Sequence, residues 1–222
     1  MEKKKVTAIV PMRHNSERVK GKNYRDFNGK PLYHHIIETL LSTKAIEHVV
    51  IDTDSDFILE DASKFFPTVQ CLKRPKHLQD GAVPMNDVLL NTVRQVPSDF
   101  YLQTHSTNPL LKSETVEAAI QYFLEQFPIC DSLFGVTRLQ TRLWDSLGRA
   151  VNHNPNILLR TQDLPPIFEE NSCFYVFTQK TLKEKHNRIG DRPFLWEVSK
   201  KESIDIDEEI DFKIAELMAQ QL

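Results

Sequence analysis

The feature that most constrains the fold is a repeated alternation of short apolar runs with helical patterns along the first 130 residues. Strands are predicted at Val6–Pro11, His48–Thr53, Val69–Leu72 and Phe100–Gln103. Helices are predicted from Pro31, over 57–65, over Pro84–Val96 and from Ser113, which we expect to cap its helix. Such alternation predicts an α/β fold with a mainly parallel central sheet flanked by helices. Ligands bind at the carboxyl ends of the strands in such sheets, so the loops after residues 11, 53 and 103 are expected to carry function.

The pattern changes after another predicted strand at Ser132–Thr137. Residues 138–170 contain four arginines, two adjacent prolines and little periodicity, which predicts an excursion from the core towards a partner subunit. A strand is then predicted at Cys173–Thr178, and the helical spacing of Ile210, Ile214 and Leu217 predicts a terminal helix. We therefore interpret residues 1–222 as one domain with an arm.

The composition excludes several classes of protein. With 28 basic against 31 acidic residues the net charge is −3, so nucleic acid is not expected as a partner. No apolar run approaches the roughly 18–20 residues that span a bilayer, and no membrane association is expected. The apolar stretch Val6–Met12 follows three lysines as in a signal peptide, but it is short and contains Pro11, so a first strand is the better interpretation.

The cysteines and the usual catalytic motifs give mainly negative information. Cys71, Cys130 and Cys173 are widely spaced and odd in number, which predicts reduced thiols and a cytoplasmic location. The glycine-rich signatures of Walker-type NTPases and of dinucleotide-binding proteins do not occur in the sequence. The adjacent His34 and His35 have the wrong spacing for a metal site on a helix, and no serine-hydrolase elbow is present.

A basic cluster follows the first predicted strand, in a chain that is acidic overall. Between residues 13 and 30 there are six positive side chains against two negative ones, the positive ones being Arg13, Arg18, Lys20, Lys22, Arg25 and Lys30. Arginine and lysine at this position in an α/β fold are typical of polyphosphate binding. Charge alone leaves open a solvated surface loop.

An acidic cluster lies near the other end of the chain. Asp205 and Asp207 alternate with Ile204 and Ile206, and on an extended strand this places both carboxylates on one face. Two neighbouring carboxylates suit Mg²⁺, which leaves its other positions to water and phosphate. Alternatively, Asp207 caps the last helix, which leaves Asp205 unexplained. A basic loop together with a pair of carboxylates indicates nucleotide chemistry.

The sequence stretches that contain these clusters also resemble the motifs of a known family. Ile9–Leu32, IVPMRHNSERVKGKNYRDFNGKPL, resembles the N-terminal signature of the acylneuraminate cytidylyltransferases, or CMP-sialic acid synthetases. Three further stretches agree in order: IDTDSD at Ile51–Asp56, TQDLPPIFEEN at Thr161–Asn171 and SIDIDEEIDF at Ser203–Phe212. The resemblance spans nearly the whole chain and implies a nucleotide-diphospho-sugar transferase-like, Rossmann-like fold.

The resemblance also implies an activity: transfer of CMP from CTP to the anomeric hydroxyl of a sialic-acid-like nine-carbon ulosonic acid, with release of pyrophosphate. By match to the family motif, Arg13 and Lys22 would hold the triphosphate and assist catalysis, and Ser16 would line the loop. Asn23 would bind the cytosine, and Gln103 would lie near both the sugar and the nucleotide.

Metal and partner follow from the same resemblance. Asp205 and Asp207 would bind Mg²⁺, and attack on the α-phosphorus would be in line. The family resemblance further implies a homodimer whose excursion reaches the sugar pocket of the neighbouring copy, which would give Arg160 and Gln162 a role in sugar binding there. No general base is identified from the sequence.

Two alternatives stay open. A CMP-Kdo-type synthetase acting on an eight-carbon acid shares the basic loop, but it usually has proline in place of Asn23 and Q-G-D-E-P in place of Gln103-Thr104-His105. Departures from the family pattern at 103–111 and at Asn171-Ser172 fall around the expected sugar pocket. They leave the identity of the acid open and motivate the second alternative, a non-catalytic nucleotide-binding relative.

Overall fold

A computed structural model describes residues 4–221. Their strands are β1 Val6–Met12, β2 Asp26–Phe27, β3 Lys30–Pro31, β4 His48–Thr53, β5 Gln70–Lys73, β6 Phe100–Thr104, β7 Ser132–Leu139, β8 Ile167–Phe177 and β9 Pro193–Glu197. Their α-helices are α1 Leu32–Ser42, α2 Asp56–Phe65, α3 Met85–Gln95, α4 Ser113–Gln126, α5 Gln179–Lys185 and α6 Glu209–Ala219.

Seven of the strands form the central sheet, in the order β5-β4-β1-β6-β8-β7-β9, and β2 pairs with β3 in a separate ribbon. Strands β5, β4, β1 and β6 run parallel, and β9 runs parallel to β7. Strand β8 is antiparallel to both of its neighbours. The predicted mainly parallel α/β sheet is therefore confirmed, with one reversed strand that periodicity did not reveal.

The two faces of the sheet bury separate apolar clusters, because side chains alternate along each strand. Phe100 and Leu102 of β6 pack on the side of α1 and α4, whereas Tyr101 between them packs with Leu89 and Leu182 of α3 and α5. Helices thus cover both faces, as predicted from the sequence. No helix within residues 4–221 is long and apolar enough to cross a membrane.

Two predicted helices differ in detail. Ser113 is the first residue of α4 rather than its cap; Lys112 takes the cap position and makes no side-chain capping bond. The terminal helix α6 is present, but Ile210, Ile214 and Leu217, whose spacing revealed it, are exposed. Its buried face carries Phe212 and Ala215 instead, because these two reach a third apolar cluster that includes Val19 and Phe27. That cluster anchors the basic loop against α6.

The excursion is shorter than predicted. Strand β7 continues to Leu139 and β8 begins at Ile167, so the irregular part is 140–166 rather than 138–170. The predicted strand at Cys173–Thr178 is the second half of β8. Within the irregular part, a bridge joins Trp144 to Ala150 and a single 3₁₀ turn covers Thr161–Asp163.

Candidate functional site

A cavity of about 660 Å³ opens at the carboxyl ends of the parallel strands. Its walls come from the loops after β1, β4 and β6, as predicted, and from the chain before α6. The predicted residues that line it are Arg13, Ser16, Lys22, Asn23, Asp205 and Asp207. The basic and the acidic cluster, far apart in the sequence, therefore meet in one cleft.

Gly21 shapes the basic loop. It adopts the left-handed conformation (φ 66°) that starts the 3₁₀ turn Lys22–Tyr24. A Cβ at this position would lie 2.9 Å from the ring of Tyr24, so a side chain would be strained both by conformation and by contact. The turn places Lys22 in the cleft.

Asn23 fastens this loop to the rest of the site. Its Nδ2 donates to the carbonyl of Arg13 at 2.7 Å, and its Oδ1 accepts from the hydroxyl of Ser106 at 2.6 Å. Asn23 is buried, and both ends of its amide are bound within the protein. The structure thus gives Asn23 a structural role, and its predicted contact with cytosine stays a prediction.

Lys22 joins the two clusters. Its Nζ donates to the carbonyl of Ile206 and lies 3.6 Å from Oδ1 of Asp207, which also accepts from Arg18 at 2.7 Å. Burial lowers the pKa of Lys22, and the neighbouring carboxylates of Asp207 and Asp205 oppose this shift. The lysine therefore lies beside the carboxylate of Asp207.

Asp205 differs from Asp207 in its surroundings. Its Oδ1 is buried and has no hydrogen-bond partner among residues 4–221. Burial also raises the pKa of this carboxyl, and the charge of Asp207 adds to the effect. A hydrogen bond from the Thr107 side chain and the charges of Lys22 and Arg18 oppose it. A buried acceptor without a donor is costly, so Asp205 is suited to receive a cation.

The alternation of carboxylates and isoleucines is confirmed in part. Ile206 is fully buried between Asp205 and Asp207, but residues 204–207 form no strand. The backbone N–H of Ile206 instead bonds to the carbonyl of Thr107, which ties this segment to the loop after β6. The alternative that Asp207 caps α6 is wrong, because Glu208 occupies the cap position and forms a capping box with Asp211.

Within residues 4–221 no group of three or more metal-ligating side chains is arranged to hold an ion. A cation in the cleft would accordingly rest on the two carboxylates and on oxygens of a bound ligand. That arrangement is ordinary for Mg²⁺, which often binds one or two carboxylates together with phosphates and water.

Gln103 lies behind the cleft rather than in its wall. It is fully buried, and its Oε1 accepts from Nη1 of Arg188 at 2.6 Å. Its Nε2 donates to the carbonyl of Thr104 and to Nε2 of His105, at 3.1 and 2.9 Å. The side chain thus holds Arg188 and His105, which do line the cavity.

Arg160 and Gln162 are not brought to this cleft. Both are exposed on the excursion, where Arg160 pairs with Asp163 at 2.7 Å. A role for either residue in sugar binding requires a second copy of the chain.

An ion pair at the edge of the cleft was missed from the sequence. Asp52 at the end of β4 and Arg74 just after β5 are both buried and lie 2.7 Å apart, and Thr92 donates to the other carboxylate oxygen at 2.6 Å. Arg74 lines the cavity. The only available signal was an aspartate inside an apolar strand, which does not identify its partner.

Three further lining residues, His105, Arg188 and Ser172, were also missed as site residues. Burial, with the nearby charges of Arg188 and Lys22, lowers the pKa of His105 to about 3. Ser172 has a left-handed backbone (φ 57°), which is strained for a residue with a side chain. Two of the three lie in the segments where the sequence departs from the family pattern, which was the available signal.

Known proteins resemble this chain over most of its length. The model of a family described as cytidylyltransferase matches residues 7–221. A CMP-N,N'-diacetyllegionaminic acid synthase of Legionella pneumophila is 29% identical over 96% of this chain and 95% of its own. A pseudaminic acid cytidylyltransferase of Campylobacter jejuni is 27% identical over 80% of each chain.

A solved structure supports the fold. The structure of a CMP:2-keto-3-deoxy-manno-octonic acid synthetase, complexed with CTP, superposes with a TM-score of 0.72. It covers 98% of this chain and 100% of its own at 18% identity, so the likeness concerns the fold alone.

Proposed function

The chain belongs to the cytidylyltransferase family of nucleotidyltransferases, which confirms the resemblance seen in its motifs, and we propose that it transfers CMP from CTP to the anomeric hydroxyl of a sialic-acid-like nine-carbon ulosonic acid. The observation that carries the proposal is the meeting of Arg13 and Lys22 with Asp205 and Asp207 in one cleft at the strand ends. The relatives are named for legionaminic and pseudaminic acids, which supports an acid of this class.

Arg13 and Lys22 are assigned to the triphosphate. Within residues 4–221, no carboxylate lies within 4 Å of the Arg13 guanidinium, so the arginine is available to an anionic ligand. Gly81 leaves room for it, because a Cβ there would lie 3.1 Å from Nη1 of Arg13. Phosphoryl transfer depends chiefly on alignment and on charge that stabilises the leaving group, and both residues can supply that charge to pyrophosphate.

Asp205 and Asp207 are assigned to Mg²⁺. The unpartnered buried oxygen of Asp205 and the hard oxygen donors of the pair fit this ion. When bound, Mg²⁺ supplies positive charge to phosphate oxygens. Asp207 is held in place by Arg18 and Lys22, so these two cations position the carboxylate and can turn to phosphate when the site is loaded.

We further propose a homodimer formed through the excursion. Seven of the fifteen exposed large apolar side chains of the described residues lie between 144 and 168, and Leu158 among them is 90% exposed. An apolar surface of this kind is typical of a protein interface. In such a dimer Arg160 and Gln162 of one copy would contribute to the sugar site of the other.

Measurements of activity distinguish the proposed function from its two alternatives. A CMP-Kdo-type enzyme is supported by likeness of fold at 18% identity. A non-catalytic relative would bind CTP without releasing pyrophosphate. A cytoplasmic location stays a prediction from cysteine usage.

The test is pyrophosphate release from CTP and Mg²⁺ with N-acetylneuraminate, N,N'-diacetyllegionaminate, pseudaminate and Kdo. We expect release with a nine-carbon acid and a fall of roughly 10²-fold or more in Asp205→Asn. Asp99→Asn removes an exposed carboxylate just before β6, at the opposite end of that strand from the cleft, and serves as the matched control. Release with Kdo alone would favour the eight-carbon alternative. CTP binding with no release from any acid would favour the non-catalytic one.

A further inference from the structure

Arg188 is a cation in the cleft that belongs to neither charge cluster. It lies in the loop after α5 and lines the same cavity as Lys22 and Asp205. Arg188 is assigned neither to the triphosphate nor to Mg²⁺. Its surroundings indicate what it binds.

The guanidinium is held rigidly. Its carbon lies 3.6 Å from the centroid of the Tyr175 ring, so the planar group is stacked on an aromatic face, and Nη1 donates to the buried Oε1 of Gln103 at 2.6 Å. One of five N–H donors is thereby used, and four remain. An arginine fixed in this way loses little conformational entropy when it binds a planar anion.

Arg188 also lacks an acidic partner. Among residues 4–221 no carboxylate lies within 4 Å of it, whereas Arg18 and Lys22 face Asp207 and Arg74 is paired with Asp52. Its neighbour in the protein is the neutral amide of Gln103. A half-buried guanidinium with this environment favours an anionic ligand.

His105 adds a neutral donor at the same place. Because Gln103 turns its Oε1 to Arg188, its Nε2–H faces Nε2 of His105, which must accept. The imidazole proton is then on Nδ1. Burial keeps the ring neutral at physiological pH. His105 thus adds no further positive charge near Lys22 and Arg188.

We propose that Arg188 binds the carboxylate of the acid sugar through a bidentate pair of hydrogen bonds, with Gln103 as its positioning residue. The proposal rests on the proposed function. In an ulosonic acid the carboxylate is bonded to the anomeric carbon, so it must lie beside the oxygen that attacks CTP. Arg188 lines the same cavity as the triphosphate residue Lys22, which suits a second anion bound in the same cleft as the first.

The experiment compares the wild type with Arg188→Met and Arg188→Lys, using the acid that the wild type turns over and the C1 carboxamide of that acid. We expect Arg188→Met to raise KM for the acid by roughly 10- to 100-fold, as loss of a charge-assisted pair does, and to leave KM for CTP within about twofold. Arg188→Met should also have similar KM values for the acid and for its carboxamide. Arg188→Lys keeps the positive charge without the planar guanidinium, so its KM for the acid should lie between those of the wild type and Arg188→Met. Arg192→Met, an exposed arginine four residues on, is the control.

The outcomes separate the two proposals. A wild type that binds CTP but turns over no acid overturns the proposed function, and this inference with it. A wild type that is active, with KM for the acid unchanged in both folded variants, overturns the role of Arg188 alone. An equal rise in the KM values for CTP and acid would place Arg188 on the phosphates and also contradict the proposal.

Discussion

The buried ion pair between Asp52 and Arg74 allows a stability prediction with a stated magnitude. The side chains are 0% and 1% exposed, Nε to Oδ1 is 2.7 Å, and Thr92 is the other donor to the carboxylate. In Arg74→Met the carboxylate would stay buried with a hydroxyl as its remaining side-chain donor. Breaking one side of a buried pair costs about 3–5 kcal/mol, so we expect a loss of that size in the free energy of unfolding, measured by urea denaturation at pH 7.

Two comparisons show whether the pair itself is responsible. Lys73→Met removes the neighbouring cation, whose partner Asp56 is 72% exposed, and should cost no more than about 1 kcal/mol. The double variant Asp52→Asn/Arg74→Met removes both charges and should be more stable than Arg74→Met alone. A loss below about 1 kcal/mol in Arg74→Met would contradict the expected cost of leaving the buried carboxylate unpaired. So would a double variant that is no more stable than the single one.

Three further predictions concern other parts of the molecule. His105 has a folded-state pKa of about 3, below its ordinary value of 6.5. Between these pH values the unfolded chain binds a proton that the folded chain does not. The free energy of unfolding therefore falls as the pH falls. From pH 7 to pH 5 the free energy of unfolding, measured by urea denaturation, should fall by up to about 2 kcal/mol more in the wild type than in His105→Gln. Equal falls in the two proteins would contradict this. Ser172→Gly should raise stability by up to about 1 kcal/mol because it relieves the left-handed backbone; a lower melting temperature would show that the serine side chain matters more than the strain. Leu158→Glu should give a monomer in sedimentation equilibrium and Leu217→Glu on α6 should not, and a dimer that survives Leu158→Glu would count against the excursion as the interface.

The elements that the sequence predicted correctly are those with a local signal. Strand β4 has the predicted bounds, and β1, β5 and β6 lie within two residues of theirs, because a run of buried apolar residues between polar loops is visible in the chain itself. A cavity lies at the loops after residues 11, 53 and 103, where function was expected, because parallel strands place their carboxyl ends together.

The features that the sequence did not predict depend on contacts between residues far apart in the chain. The reversed direction of β8 follows from pairing with β6 and β7, which periodicity does not encode. The burial of Phe212 in place of Ile210 depends on the cluster under the basic loop. Gln103 was expected beside the ligands, yet its partner Arg188 lies 85 positions away and holds it behind the wall.

We propose that this cleft joins CMP to an acid sugar. The most direct measurement is a ³¹P NMR spectrum of CTP, Mg²⁺ and the protein with and without the ulosonic acid. We expect one new phosphodiester resonance together with pyrophosphate, both dependent on the acid. Unchanged CTP, or CMP formed whether or not the acid is present, would contradict it.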